Sequence, residues 1–97
     1  MNFNEIINSE KPVLVDFYAT WCGPCKTLSP VLDQMKETYL GKAEIVKIDI
    51  DENFELASKY NIRSVPTIMI FKNGEIIKTM NGFQGKAKVE EMLNSTF

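Results

Sequence analysis

The 97-residue sequence has no histidine, one arginine, two cysteines and no long apolar run. Without histidine, Cys/His and Ser/His catalysis and most zinc chemistry fall away, because imidazole is the usual base near neutral pH and a common zinc ligand. Arg63 is the single arginine and the lysines are scattered. No basic stripe faces a phosphate backbone, so nucleic acid is not an expected partner. No apolar stretch approaches the ~20 residues of a membrane span, so no membrane association is expected. The first residues, Met1-Asn2-Phe3-Asn4-Glu5, lack a basic region followed by an apolar one. No signal peptide and a cytoplasmic location are therefore expected.

What is present is ordinary for a folded chain. Hydrophobic residues make up 44% and charged residues 25%, with a formal net charge of −2. Composition and length together predict one domain spanning residues 1–97 with a single modest core. There is no internal repeat, linker or low-complexity segment.

Residues 3–9 are helix-compatible, with Phe3, Ile6 and Ile7 on one side. Val13-Leu14-Val15-Asp16-Phe17-Tyr18 is rich in β-formers and apolar on both faces, as a strand covered on both sides requires. Asp16 is its one misfit. From Pro24 to Leu40 the pattern turns helical, with Cys25, Leu28, Leu32, Met35 and Tyr39 at helical spacing. Pro24 suits a first turn, Pro30 should kink the helix, and Gly41 should end it. Residues 44–50 read as a strand and 52–60 as a short helix. Two further strands, 67–71 and 75–80, flank Lys72-Asn73-Gly74, a hairpin signal. A last amphipathic helix covers 86–94, with Val89, Met92, Leu93 and Phe97 inward. A βαβ unit followed by a ββα unit implies an α/β fold: a mixed sheet of about four strands with helices on both faces.

The two cysteines form Cys22-Gly23-Pro24-Cys25, and a Cys-x-x-Cys pair near a βαβ unit reads as a redox motif. Cys22 falls at the N-terminal end of the long helix, where free backbone N–H groups and the helix dipole stabilise a thiolate. Cys25 lies three residues on, on the same face, within reach of Cys22. One thiol can attack a substrate disulfide and the other can resolve the mixed disulfide. Two other readings stay open. A lone Cys-x-x-Cys can be half of a metal site, although four ligands here would need two chains or carboxylates. The cysteines can also be inert core residues, which fits poorly with Trp21 and Pro24 beside them at a strand-to-helix junction.

The segment Val13 to Lys26, centred on Trp21-Cys22-Gly23-Pro24-Cys25, resembles the active-site segment of the thioredoxin family. Val46-Lys47-Ile48-Asp49-Ile50-Asp51, Tyr60 to Thr67 and Phe71-Lys72-Asn73-Gly74-Glu75 resemble further family segments, in order and across essentially the whole chain. The resemblance implies a thioredoxin fold and a protein disulfide reductase that works by dithiol–disulfide exchange and serves thiol redox homeostasis. It implies a redox-active Cys22–Cys25 disulfide, with Cys22 attacking and Cys25 resolving. Asp16 would be a buried carboxylate beneath Cys25 that relays protons, with Lys47 as its charged neighbour. Trp21, Gly23, Pro24, Val65, a cis Pro66 and Gly82 would bind substrate on a flat docking surface. No bound cofactor or metal is implied. The partners would be disulfide-containing proteins and a thioredoxin reductase as electron donor, and the protein would be a monomer engaged in electron transport.

The chain also departs from the family pattern. Tyr18 stands where tryptophan is usual, Asn81 precedes Gly82 where an apolar residue is commoner, and Phe83 follows. The usual first edge strand has no counterpart before residue 3. Two rival functions follow from the same residues. One is an oxidase or isomerase of this fold; such relatives often carry histidine between the cysteines, where this chain has Gly23-Pro24. The other is a binding module without catalysis.

Overall fold

The computed structural model describes residues 2–97. Its elements run α1 (Phe3–Ile7), β1 (Val13–Tyr18), α2 (Gly23–Thr38), β2 (Glu44–Asp49), α3 (Phe54–Lys59), β3 (Thr67–Lys72), β4 (Glu75–Asn81) and α4 (Lys86–Asn94). The strands form one sheet in the order β2-β1-β3-β4. β1 pairs in parallel with β2 and antiparallel with β3, and β3 pairs antiparallel with β4. A thioredoxin-type mixed sheet of four strands is thus present. No strand precedes β1 among the described residues, and β2 is an outer strand.

The central position of β1 follows from its sequence. Val13, Leu14, Val15 and Phe17 are wholly buried, each stabilising the fold by about 1.5–3 kcal/mol. Successive side chains alternate between faces. Leu14 packs with Leu28, Leu32 and Met35 of α2 and Val89 and Leu93 of α4. Val13, Val15 and Phe17 pack on the other side with Phe3, Ile7 and Ile48, against which Leu56 and Tyr60 also rest. Phe3, Tyr60 and Phe71 meet edge to face there, at centroid separations of 5.4–5.7 Å. Helices therefore cover both faces, and the register that buries Leu14 also turns Asp16 toward α2.

The hairpin forms where the sequence places it. Asn73 and Gly74 both adopt positive φ, 53° and 82°, as a tight two-residue turn between twisted strands demands. The N–H groups of Asn73 and Gly74 donate to the carbonyls of Ser9 and Ile7, tying the turn to α1. Helix α2 begins one residue before Pro24 and stops at Thr38, short of the expected Leu40. Gly41 takes a positive φ of 83° in the turn beyond. Pro30 lies inside α2, where it offers the Lys26 carbonyl no N–H. Phe97 corrects an expectation: it is 59% exposed, because the chain past α4 stacks its ring on Tyr39 instead of inserting it into the core.

Candidate functional site

β1 ends at Tyr18, and a short turn leads into α2. The Cys22 N–H donates to the Ala19 carbonyl and closes that turn. Cys22 is the N-cap of α2, with extended backbone (φ −89°, ψ 118°), and its sulfur accepts the Cys25 N–H at 3.2 Å. A sulfur thus takes the place that a serine or aspartate oxygen occupies at other helix starts, and it satisfies one of the free N–H groups. Any negative charge on Cys22 Sγ gains from that bond and from the N-terminus of a 16-residue helix. Pro24 sits in the first turn, where its missing N–H leaves no carbonyl unpaired.

Cys22 and Cys25 are joined as a disulfide, with Cα atoms 5.3 Å apart. In this oxidised form both are buried, 5% and 3% exposed. The bridge folds both sulfurs inward against Ala19, Tyr18, Ile50 and Val65. The Val65 carbonyl oxygen lies 3.6 Å from Cys22 Sγ.

A cavity of ≈ 390 Å³ opens beside the bridge, lined by Asp16, Tyr18, Cys25, Ser29 and Lys47 among others. Cys25, not Cys22, shares it with the carboxylate. Asp16 is 1% exposed, and its Oδ1 has no hydrogen-bond partner. Burial pushes its pKa up from 3.8 to about 7, with the Lys47 charge pulling the other way. Lys47 is the register partner of Asp16 on β2, yet its ammonium is bonded elsewhere. It donates to Asp33 Oδ1 and Ser29 Oγ, both at 2.7 Å, and to the Ser29 carbonyl at 3.3 Å. That bond holds the Asp33 carboxyl below the usual carboxylate range. Lys47 therefore influences Asp16 through space and makes no ion pair with it.

The remaining residues lie around the bridge. Gly23 and Pro24 are exposed at the helix start, Val65 is half-buried and Pro66 is buried. The Val65–Pro66 peptide is cis. Gly82, at φ 81°, donates its N–H to the Pro66 carbonyl at 2.8 Å and bridges β4 to that loop. Thr67 Oγ1 donates to the Ser64 carbonyl at 2.7 Å and lies 3.4 Å from Asn81 Oδ1. Trp21 is 68% exposed, and its Nε1–H donates to Asp51 Oδ2 at 3.0 Å. Sequence reasoning gave no role to Asp51, Ser29 or Asp33. Asp51 lies two residues past the end of β2, in the turn toward α3, and its bond to Trp21 spans thirty residues, so no local spacing marks it.

A disulfide at a helix N-cap, with one of its cysteines facing a buried carboxylate of raised pKa, defines a thiol–disulfide oxidoreductase site on a thioredoxin fold. The thioredoxin family model matches residues 1–95. A thioredoxin of Rickettsia felis is 48% identical over 92 residues, spanning 95% of this chain and 88% of its own. A thioredoxin of Porphyra purpurea is 50% identical over 90 residues, spanning 93% of this chain and 84% of its own. The solved structure of a thioredoxin from Malassezia sympodialis superimposes with a TM-score of 0.88 at 37% identity, covering 97% of this chain and 82% of that one. The chain belongs to the thioredoxin family. It is a disulfide oxidoreductase whose Cys22–Cys25 pair stands in the family's active-site position, with disulfide proteins as substrates and a reductase as partner.

Proposed function

We propose that the chain runs as a protein disulfide reductase in a fixed order of thiols. The Cys22 thiolate attacks one sulfur of a substrate disulfide. A Cys22–substrate disulfide forms, and the other substrate sulfur leaves as a thiolate. The Cys25 thiol then gives its proton to the Asp16 carboxylate and attacks Cys22 Sγ. The Cys22–Cys25 bridge forms, and the second substrate sulfur departs and takes up a proton. Two electrons have passed from the dithiol to the substrate, and a thioredoxin reductase returns two. The observation that carries this reading is the asymmetry of the two sulfurs. Cys22 Sγ caps α2 and accepts an N–H, whereas Cys25 shares a cavity with Asp16. A carboxyl with a pKa near 7 is suited to exchange protons at neutral pH.

In this reading Lys47 tunes Asp16, and Trp21, Gly23, Pro24, Val65, Pro66 and Gly82 receive an extended substrate segment. The protein acts as a cytoplasmic monomer of one domain in electron transport and thiol homeostasis. No helix among the described residues is long and apolar enough to cross a membrane. Reduction is favoured over oxidation or isomerisation by the absence of any histidine between or beside the cysteines. The test is insulin precipitation driven by dithiothreitol. Wild-type protein should accelerate it and Cys22→Ser should not. Equal acceleration by Cys22→Ser would overturn the assignment.

A further inference from the structure

A second surface begins where the disulfide cluster ends. Ile50 packs against Cys22 and Cys25 on one side and lines a groove of ≈ 320 Å³ on the other. That groove continues over Asp51, Ala57 and Ile62 to Phe54. Phe54, the first residue of α3, is 76% exposed and shares one groove with Ile50, Ala57 and Ile62, so its ring belongs to a contiguous apolar surface and is not an isolated exposed residue. Beyond Phe54 lies a wider groove of ≈ 640 Å³, lined by Asp51, Glu52, Glu55 and Lys59 among others. Asp51 borders both grooves and holds the Trp21 indole. The path from the bridge to Phe54 is therefore continuous: Cys22, Ile50, Asp51, Phe54, with Trp21 on its rim.

The charge along this path is one-sided. Asp51, Glu52 and Glu55 face the wide groove, opposed there by Lys59 alone, and Asp51 is the one charged residue on the narrow groove. No ion pair among the described residues engages any of the three carboxylates. An apolar floor with an exposed ring and unpaired carboxylates complements a peptide that carries an apolar residue followed by lysine or arginine. A cation can meet the carboxylates while its stem lies on the Phe54 face.

We infer that the Ile50–Phe54 groove is an extension of the substrate-docking surface that selects disulfide proteins with an apolar–basic segment beside the reactive cysteine. This rests on the reductase reading above and adds a substrate class to it. Two synthetic disulfide peptides test it, identical except for Phe-Lys-Lys or Phe-Glu-Glu flanking the cysteine, alongside a small aromatic disulfide without flanking chain. Wild-type protein should reduce the basic peptide with kcat/KM about threefold to tenfold above the acidic one at low salt, the gap closing at high salt. The double variant Glu52→Lys/Glu55→Lys should reverse that ratio, and Phe54→Ser should lower kcat/KM for both peptides through KM. Because the ratio is taken within one protein, changes in dithiol chemistry cancel. If wild type reduces the small disulfide but shows equal kcat/KM for the two peptides, the groove assignment falls alone. If it reduces none of the three, the reductase reading falls as well. A concentration-dependent dimer in sedimentation that Phe54→Ser abolishes would overturn the assignment in favour of a second copy of the chain.

Discussion

Replacing Asp16 with asparagine separates stability from turnover. Asp16 is buried on the α2 side of β1 with an oxygen that bonds to nothing, and burial raises its pKa from 3.8 to about 7. The folded state thus holds this proton more tightly than the unfolded chain. The stability linked to it is fully present below the unfolded pKa of 3.8 and is lost as pH rises through about 7. Moving a carboxyl from 3.8 to about 7, at about 1.4 kcal/mol per pH unit, amounts to about 4 kcal/mol. Near pH ~4 the neutral acid and the amide are close in shape, and wild type and Asp16→Asn should differ by about 1 kcal/mol or less. By pH ~9 the variant should be more stable by about 3–4 kcal/mol, less whatever its own buried N–H groups cost. Urea melts of the oxidised proteins across that range measure the difference, with the cysteines held in the bridge so that no thiol titrates. Other titrating groups cancel between the two proteins. The same variant should resolve its mixed disulfide more slowly, visible in stopped-flow reduction, because Cys25 has lost its proton acceptor. A stability difference that stays flat with pH would refute the reasoning, leaving Asp16 as an ordinary structural carboxylate.

Two further outcomes follow from the same geometry. Asp33→Asn removes the carboxylate that holds the Lys47 ammonium, so the Lys47 charge acts on Asp16 less opposed; the pH midpoint of the stability profile should move below about 7, as read from the same urea series. Pro66→Ala should slow reduction of a protein disulfide by about tenfold, equivalent to ~1.4 kcal/mol, and slow a small aromatic disulfide much less, because it alters the docking edge for an extended chain; equal rates for the protein substrate would remove Pro66 from the docking surface.

Much of the fold is legible because it depends on local pattern. The run Val13–Tyr18, rich in β-formers and apolar but for Asp16, reads as a covered strand, and Asn73-Gly74 between two such runs reads as a tight turn. The Cys22-Gly23-Pro24-Cys25 motif marks its own helix start. Asp16 announces itself as the single charge in that strand. Other features hang on tertiary choices that spacing does not encode. Lys47 had three acceptors within reach across 14 to 18 residues of sequence, and its rotamer follows Ser29 and Asp33 on α2. Trp21 finds Asp51 thirty residues away. The burial of Cys22 depends on Val65, whose carbonyl lies against its sulfur across 43 residues of sequence. Helical period places Phe97 inward, but α4 ends at Asn94 and the period does not govern the residues beyond it.

The order of the thiols is tested most directly by trapping the intermediate. Cys25→Ser protein, reduced and mixed with a disulfide peptide, should stop at a mixed disulfide, and mass mapping after acid quench should place the peptide on Cys22. In the matching experiment with Cys22→Ser, an adduct forming on Cys25 as fast as that one would contradict the assignment of Cys22 as the attacking sulfur.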